Sequence, residues 1–201
     1  MKTLPVDTPH GPASVHLHAA DEPRGALVLG HGAGGGVAAR DLVAATLAAQ
    51  GAGVSVALVE MHDDPEVARF IPRLERAAAI ERLRYAEGEW SQRGYGMFAV
   101  LNRVTGQFLG RVGLKYWPQF DETELGWVLR RDAWGHGYAT EAARACLTWG
   151  FSALTVPYLT AMIHPENSAS IRVARRLDMT PLRDDILLGS EVVVYAIARE
   201  D

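Results

Sequence analysis

A glycine-framed turn at residues 132–140 has the residue types and spacing that best predict chemistry in this chain. It reads D-A-W-G-H-G-Y-A-T and follows the strand-like run E-L-G-W-V-L at residues 124–129. Small and apolar side chains at helical spacing predict that a helix begins near Tyr138. Gly135 and Gly137 leave the first helical amides unshielded, so several N–H groups can face one anion. The turn therefore predicts a site for a phosphate or a pyrophosphate.

The overall composition predicts a soluble globular protein with a proper hydrophobic core. The 201 residues are 48% hydrophobic, the net charge is -4 and the sequence pI is about 6.0. This acidic balance gives no electrostatic reason to expect nucleic acid or an anionic membrane surface as a partner. The N-terminus lacks a sustained apolar run, so we expect a cytoplasmic protein without a membrane anchor. The histidines show no ligand spacing, and no metal is predicted.

The elements that must position the turn alternate between strands and helices and predict a mixed α/β fold. Residues 97–101 and 108–114 are predicted to form a β-hairpin. A helix is predicted between Leu74 and Arg93, and its predicted buried side consists of Ala78, Leu83, Tyr85 and Trp90. The other predicted strands are 13–18, 25–30, 54–59, 124–129, 159–163 and 192–197, and the other predicted helices are 38–50, a short one near Pro65, and 168–177.

Residues 13–59 resemble the start of an α/β-hydrolase of the dienelactone-hydrolase type. The resemblance rests on a strand that ends in L-G-H-G-A-G-G and is followed by an alanine-rich helix. Such a family needs a nucleophile elbow of the form G-x-S-x-G, and this motif does not occur in the chain. The glycine loop is therefore interpreted as a tight strand-to-helix turn, and an esterase is disfavoured.

Five motifs in the second part of the chain together resemble a GNAT-type N-acetyltransferase. They read H-D-D-P-E-V, G-Q-F-L-G-R-V-G-L, E-L-G-W-V-L, W-G-H-G-Y-A-T-E-A and H-P-E-N-S-A-S-I-R-V-A-R-R-L, in the family's order, over residues 61–201. The resemblance is strongest to the branch that includes the ribosomal-protein N-terminal acetyltransferases. It implies a twisted mixed sheet whose two central strands splay apart, with acetyl-CoA in the opening.

The same resemblance assigns cofactor-binding residues. It implies that the pyrophosphate of the cofactor binds at the turn itself, chiefly through backbone amides. The predicted cofactor-binding residues there are Trp134, Gly135, His136, Gly137, Tyr138, Ala139 and Thr140. His136 is alternatively a variable loop side chain, and Tyr138 is alternatively a packing residue. The family often has Gln or Arg where this chain has Asp132, so no side-chain contribution is expected at that position. Asn167 and Ser170 match positions near the pantetheine and thiol end of the cofactor and are candidate catalytic residues, and Ser170 could protonate the departing thiolate.

Glu124 is the predicted general base. Attack of an amine on a thioester requires an uncharged amine, and a carboxylate on the strand beside the turn could accept its proton, directly or through water. The alternative interpretation is an exposed strand carboxylate, because Asp121, Glu122 and Glu124 lie close together in the sequence.

A seam near residue 60 divides the chain into residues 1–60 and 61–201. Every Phe, Trp and Tyr lies after residue 60, and the first strand and helix expected for the acetyltransferase branch are absent from the sequence. We expect the hydrolase-like strand-helix-strand segment to supply them, with residues 54–59 as the substitute strand, and we do not expect residues 1–60 to fold alone.

Three functions remain open. The first is an acetyl-CoA-dependent N-acetyltransferase acting on a peptide N-terminus or a small amine. The second is a mosaic or engineered chimera that folds, and binds CoA or nothing, without useful catalysis. The third is the esterase. The expected partners are CoA and an amine acceptor, and a homodimer is left open.

Overall fold

The computed structural model describes residues 2–8, 11–17, 26–27, 29–31, 60–73, 75–102, 105 and 107–199. In chain order its strands are β1 (Lys2–Thr8), β2 (Gly11–Leu17), β3 (Ala26–Leu27), β4 (Leu29–His31), β5 (Met97–Leu101), β6 (Phe108–Trp117), β7 (Glu122–Leu129), β8 (Tyr158–Ile163), β9 (Thr180–Leu187) and β10 (Ser190–Ala198). Its helices are α1 (Pro65–Ala68), α2 (Arg76–Arg93), α3 (Tyr138–Ala153) and α4 (Ser168–Arg176), with a 3-10 turn at Arg131–Ala133.

A seven-stranded mixed sheet, ordered β3-β5-β6-β7-β8-β10-β9, carries the fold. All neighbouring strands in it are antiparallel except β7 and β8, which run parallel and are joined through α3. A parallel pair needs such a crossover because the chain must return to the edge of the sheet where the first strand began before the second strand can start. The mixed α/β fold expected from the sequence is therefore confirmed.

The central strands β7 and β8 diverge. Their register consists of one bridged pair, Glu124 with Thr160, whereas β6 and β7 pair from Gly110 to Trp117. The amide of Met162 in β8 donates instead to the Glu124 carboxylate, at 3.3 Å. The two strands therefore splay beyond Glu124, which is the opening that the GNAT resemblance implies.

Helix α3 packs on the sheet through small side chains. Ala142, Ala143, Cys146 and Leu147 are buried, and a Cβ at Gly150 would lie 2.9 Å from the Leu114 side chain. Small residues at helical spacing let the helix lie close to the strands. This contact fixes the start of α3 relative to the end of β7.

An ion pair links the two halves of the sheet on either side of the splay. The two terminal guanidinium nitrogens of Arg183 on β9 donate to the Glu122 carboxylate on β7, at 2.7 and 3.0 Å, and Tyr158 of β8 donates to the same carboxylate at 3.2 Å. The Glu122 side chain is only 5% exposed. A buried carboxylate of this kind must be paired, so Glu122 serves the fold.

The predicted buried side of α2 is partly wrong. Trp90 is buried, but Ala78 and Tyr85 are exposed, and Ala79 is the buried alanine of the first turn. Trp90 packs edge-on against Phe98 with ring centroids 4.6 Å apart. The alanine- and charge-rich sequence has no distinct apolar stripe, so its buried face is set by contacts with β5.

The front segment contributes a small sheet ordered β1-β2-β4 and the edge strand β3. Ala26 and Leu27 pair antiparallel with Leu101 and Val100 of β5. The predicted helix 38–50 and strand 54–59 lie outside the described residues. In the described part of the chain, the front-segment strand that pairs with β5 is β3. No helix within the described part of the chain has the length and apolar character needed to cross a membrane.

Candidate active site

A groove of about 890 Å³ lies along β7 at the splay. Its walls come from the loop after α1, from α2, from strands β6, β7 and β8, from the start of α4 and from the turn between β9 and β10. The wall includes three of the residues predicted from the sequence as catalytic: Glu124, Asn167 and Ser170. The fold thus brings together side chains that are more than forty positions apart in sequence.

Glu124 is held by two hydrogen bonds at the point where the strands part. Its carboxylate accepts from the Trp117 indole N–H at 2.6 Å and from the Met162 amide at 3.3 Å. Burial raises the pKa of Glu124 above the usual glutamate range, although these two hydrogen bonds and the positive charges of Lys115 and Arg111 act in the opposite direction. Glu124 is therefore a partly enclosed carboxylate with strengthened basicity rather than an exposed strand residue.

Cationic side chains of β6 face the same groove. Lys115 is the direct cross-strand neighbour of Glu124, and its ammonium lies 3.5 Å from the centre of the Trp117 ring. Arg111 lies four residues earlier on β6, opposite Val128. Burial lowers the pKa of both groups, that of Arg111 to about 10. These two residues were not among the predicted site residues, because the predicted strand ends at residue 114 and the face shared by Arg111, Lys115 and Trp117 extends past that end.

Asn167 and Ser170 form the start of α4 beside the splay. The Asn167 side chain caps the helix by accepting from the Ser170 amide at 3.1 Å. The Ser170 hydroxyl accepts from the Trp127 indole N–H at 3.3 Å, which ties α4 to β7. The Ser170 hydroxyl therefore lies on the groove wall, held at the start of α4 by the cap and by Trp127.

The predicted anion turn has the backbone geometry that such a site requires. Gly135 and Gly137 have φ of +78° and +85°, a left-handed conformation that favours glycine. The first helical hydrogen bond of α3 runs from the Glu141 amide to the Gly137 carbonyl. The amides of Tyr138, Ala139 and Thr140 precede it and have no partner within the helix. The backbone can therefore offer three N–H groups to one phosphate.

The side chains of the turn divide into anchors and exposed groups. The Trp134 indole donates to the Leu129 carbonyl at 2.9 Å while 40% of the residue stays exposed, and Tyr138 packs on the core. His136 is exposed, with its ring 5.7 Å from that of Tyr138. The carboxylate of Asp132 is neutralised by Arg130 at 2.8 Å, so it does not oppose an anion at the turn.

The turn and the groove are two parts of one path along β7. None of residues 134–140 lies on the groove wall, but residues 124–128 of β7 do, and β7 leads through the 3-10 turn into the start of α3. This arrangement fits a long ligand with a phosphate at one end and a reactive group at the other. The residues present thus suit a ligand such as CoA, which carries a pyrophosphate and, at the far end of its pantetheine arm, a thiol.

Comparison with known proteins agrees with this geometry. The family model described as "Acetyltransferase (GNAT) domain" matches residues 55–180. The protein YkkB of Bacillus subtilis is 43% identical over 99 residues, which span 45% of this chain and 56% of that relative, so the match covers just over half of its length.

Solved structures share the fold. An acetyltransferase (GNAT family) from Bacillus anthracis superposes with a TM-score of 0.62 at 22% identity, covering 73% of this chain and 90% of its own. RimL, a ribosomal L7/L12 alpha-N-protein acetyltransferase in complex with coenzyme A, superposes with a TM-score of 0.60 at 15% identity, covering 98% of both chains. At these identities the structures establish the fold alone, and it is the family model, matching well over half of the sequence, that shows that the chain belongs to the GNAT acetyltransferase family.

Proposed function

We propose that this protein is an acetyl-CoA-dependent N-acetyltransferase that acetylates a primary amine, either a peptide N-terminus or a small amine, by direct attack on the thioester. The observation that carries the proposal is the position of Glu124. Its carboxylate lies at the splay of β7 and β8, with a raised pKa, on the strand that leads into the glycine turn.

The turn would hold the cofactor. Backbone amides of residues 136–140 would bind the pyrophosphate, and the exposed face of Trp134 lies at the same turn. Acetyl-CoA, when bound, supplies an acetyl group activated as a thioester. Asn167 would support the thiol end of the cofactor while its side chain caps α4.

Two proton transfers are assigned to groove residues. Glu124 accepts a proton from the ammonium form of the acceptor, directly or through water, which leaves a nucleophilic amine. The raised pKa makes Glu124 a stronger base than an exposed glutamate would be. After the C–N bond forms and the C–S bond breaks, the Ser170 hydroxyl can donate its proton to the sulfur. The second proton leaves the acceptor nitrogen as the amide forms and returns, directly or through water, to the Ser170 oxygen, while Glu124 releases the first proton to solvent.

The front segment is proposed to complete this same unit rather than to act as a hydrolase. It supplies β3 to the edge of the main sheet beside β5. Its resemblance to a hydrolase brings no G-x-S-x-G nucleophile with it.

Calorimetric titration with acetyl-CoA, followed by assay of thiol release with a panel of amines, tests the proposal. We expect binding of acetyl-CoA with one site per chain and amine-dependent thiol release. Absence of cofactor binding would refute the proposal. Binding without turnover for any amine would favour the non-catalytic mosaic, and ester hydrolysis without CoA would favour the hydrolase.

A further inference from the structure

We propose that the acceptor of this groove is a small amine that carries a carboxylate or a phosphate close to its amino group, and that Arg111 and Lys115 bind that anion. The inference rests on the proposed function, since it names the substrate class of the same groove.

Arg111 lies in the groove wall without a counter-ion. Its Nε is buried and has no hydrogen-bond partner among the described residues, and none of the ion pairs found there involves Arg111 or Lys115. The pKa of Arg111, lowered by burial to about 10, still leaves the guanidinium protonated at neutral pH. A buried cation without a partner is unfavourable, and a carboxylate or phosphate is the partner that its planar donor set fits best.

Glu124 acts on these cations only from a distance. Its negative charge raises the pKa of Arg111 and of Lys115, but its carboxylate, which accepts from Trp117 and Met162, lies within ion-pair distance of neither cation among the described residues. Glu89, another carboxylate of the groove wall, pairs with Arg93 at 3.3 Å. Arg82 of α2 also lines the groove and adds positive charge from the opposite wall. The groove wall therefore has a small excess of positive charge, with Arg69, Arg82, Arg111 and Lys115 against Glu81, Glu89 and Glu124, although the whole chain has a net charge of -4.

The space between the two cations is open on the β7 side. Arg111 and Lys115 are four residues apart on one strand, about 13 Å between Cα atoms, and both side chains line the groove. Gly126 of β7 lies between their cross-strand partners, and a Cβ there would meet nothing closer than the Glu124 carboxyl carbon at 3.9 Å. We place the anion of the acceptor in this gap against the Arg111 Nε, with the Lys115 ammonium adding positive charge from its position over the Trp117 ring.

The position of Glu124 sets the distance from the anion to the amine. Glu124 lies directly opposite Lys115 on the neighbouring strand. When the amine of the acceptor is at Glu124, the adjoining part of the acceptor lies over Gly126 and extends toward Arg111. A free amino acid or a phosphate ester of a short amino alcohol meets this spacing. An ordinary peptide N-terminus has an uncharged amide at that position instead.

Matched pairs of amines test the substrate class. Each free amino acid is compared with its carboxamide, and phosphoethanolamine with ethanolamine, by thiol release from acetyl-CoA. We expect the anionic member of the best pair to be acetylated with a kcat/KM about 10- to 100-fold higher. The variant Arg111→Gln should remove this preference, while Arg175→Gln, an exposed arginine of α4 outside the groove, should keep it. Equal rates for both members of every pair, or a preference only for peptides with an uncharged first residue, would overturn the inference.

A binding measurement separates this inference from the proposed function. Inorganic phosphate is titrated into wild type, Arg111→Gln and Gly137→Val. If the groove binds the anion, Arg111→Gln weakens phosphate binding at least tenfold and wild type saturated with CoA still binds phosphate. If wild type shows no such phosphate site, or if only Gly137→Val weakens binding, the inference fails even when acetyl-CoA binds. Failure of acetyl-CoA to bind, with the Arg111-dependent phosphate site intact, would refute the proposed function alone.

Discussion

At the scale of single residues, Glu124 shows how one strand position can be both structural and reactive. Its hydrogen bonds from Trp117 and Met162 fix the carboxylate, and burial raises its pKa. A carboxylate acts as a base only when deprotonated, so activity should fall as the pH falls through this raised pKa. The acid limb of the pH profile should therefore lie above the range of an ordinary glutamate.

Glu124→Gln tests this assignment. The amide keeps the approximate shape but cannot accept the amine proton, so we expect kcat to drop about 10²- to 10⁴-fold. The acid limb of log kcat/KM against pH should disappear in the variant, while the affinity for acetyl-CoA, measured by calorimetry, stays unchanged. An unaltered acid limb would show that another group titrates.

Asn167 has a structural role that must be separated from its predicted role at the cofactor. Asn167→Ala removes the cap on the Ser170 amide and should lower the free energy of unfolding by about 1 kcal/mol. Asn167→Asp keeps a capping oxygen but loses the amide N–H₂ donor, so its stability in urea should match wild type. Weaker acetyl-CoA binding in Asn167→Asp would indicate a direct contact, and unchanged binding would leave the residue as a cap only.

At the scale of elements, the start of α3 depends on two left-handed glycines that leave its first amides accessible. Gly137 is the residue immediately before the helix, with φ of +85°, and no atom lies within 4 Å of where its Cβ would be. A side chain at Gly137 would contact no residue beyond its neighbours in the chain. It would act by straining the backbone and by filling the space that a phosphate would occupy.

Gly137→Val and Gly94→Val form a matched pair. Gly94, at the end of α2, has φ of +73° and equally open surroundings, but it lies far from the turn in sequence and outside the groove. Both variants should lose about 1–3 kcal/mol of stability from the strained backbone. Only Gly137→Val should also weaken acetyl-CoA binding, by tenfold or more in calorimetry. Equal affinities in the two variants would mean that the phosphate does not bind at this turn.

The elements also show what the sequence could predict. Helix α3 and strands β5 to β8 have strong periodicity and lie where the sequence predicts them, although β6 runs three residues further than predicted and β7 and β8 begin two and one residues earlier. Strand β9 was missed because T-P-L-R-D-D-I-L carries Pro181 and three charges, a composition that only an edge strand tolerates. The cationic side of the groove was missed because it depends on which strands neighbour β6, and local sequence does not contain that information.

At the scale of the whole molecule, the front segment is expected to share one folding unit with the acetyltransferase core. The paired residues of β3 offer a direct test by hydrogen exchange. In the full chain, the amides of Ala26 and Leu27 should be more protected than in an isolated fragment of residues 1–60, because the fragment lacks β5. Equal protection in the fragment would show that residues 1–60 fold by themselves.

The carboxylate at the single bridge between β7 and β8 makes the stability of this protein depend on pH. The folded state binds the Glu124 proton more tightly than the unfolded chain does, so this group's stabilising contribution, complete at low pH, is lost as the pH rises through its raised pKa. Neutral pH, where the proposed base is ready to act, is thus where the residue costs the fold most. Selection of variants for heat resistance should repeatedly alter Glu124 or bring the two strands together, and such variants should lose turnover as they gain melting temperature.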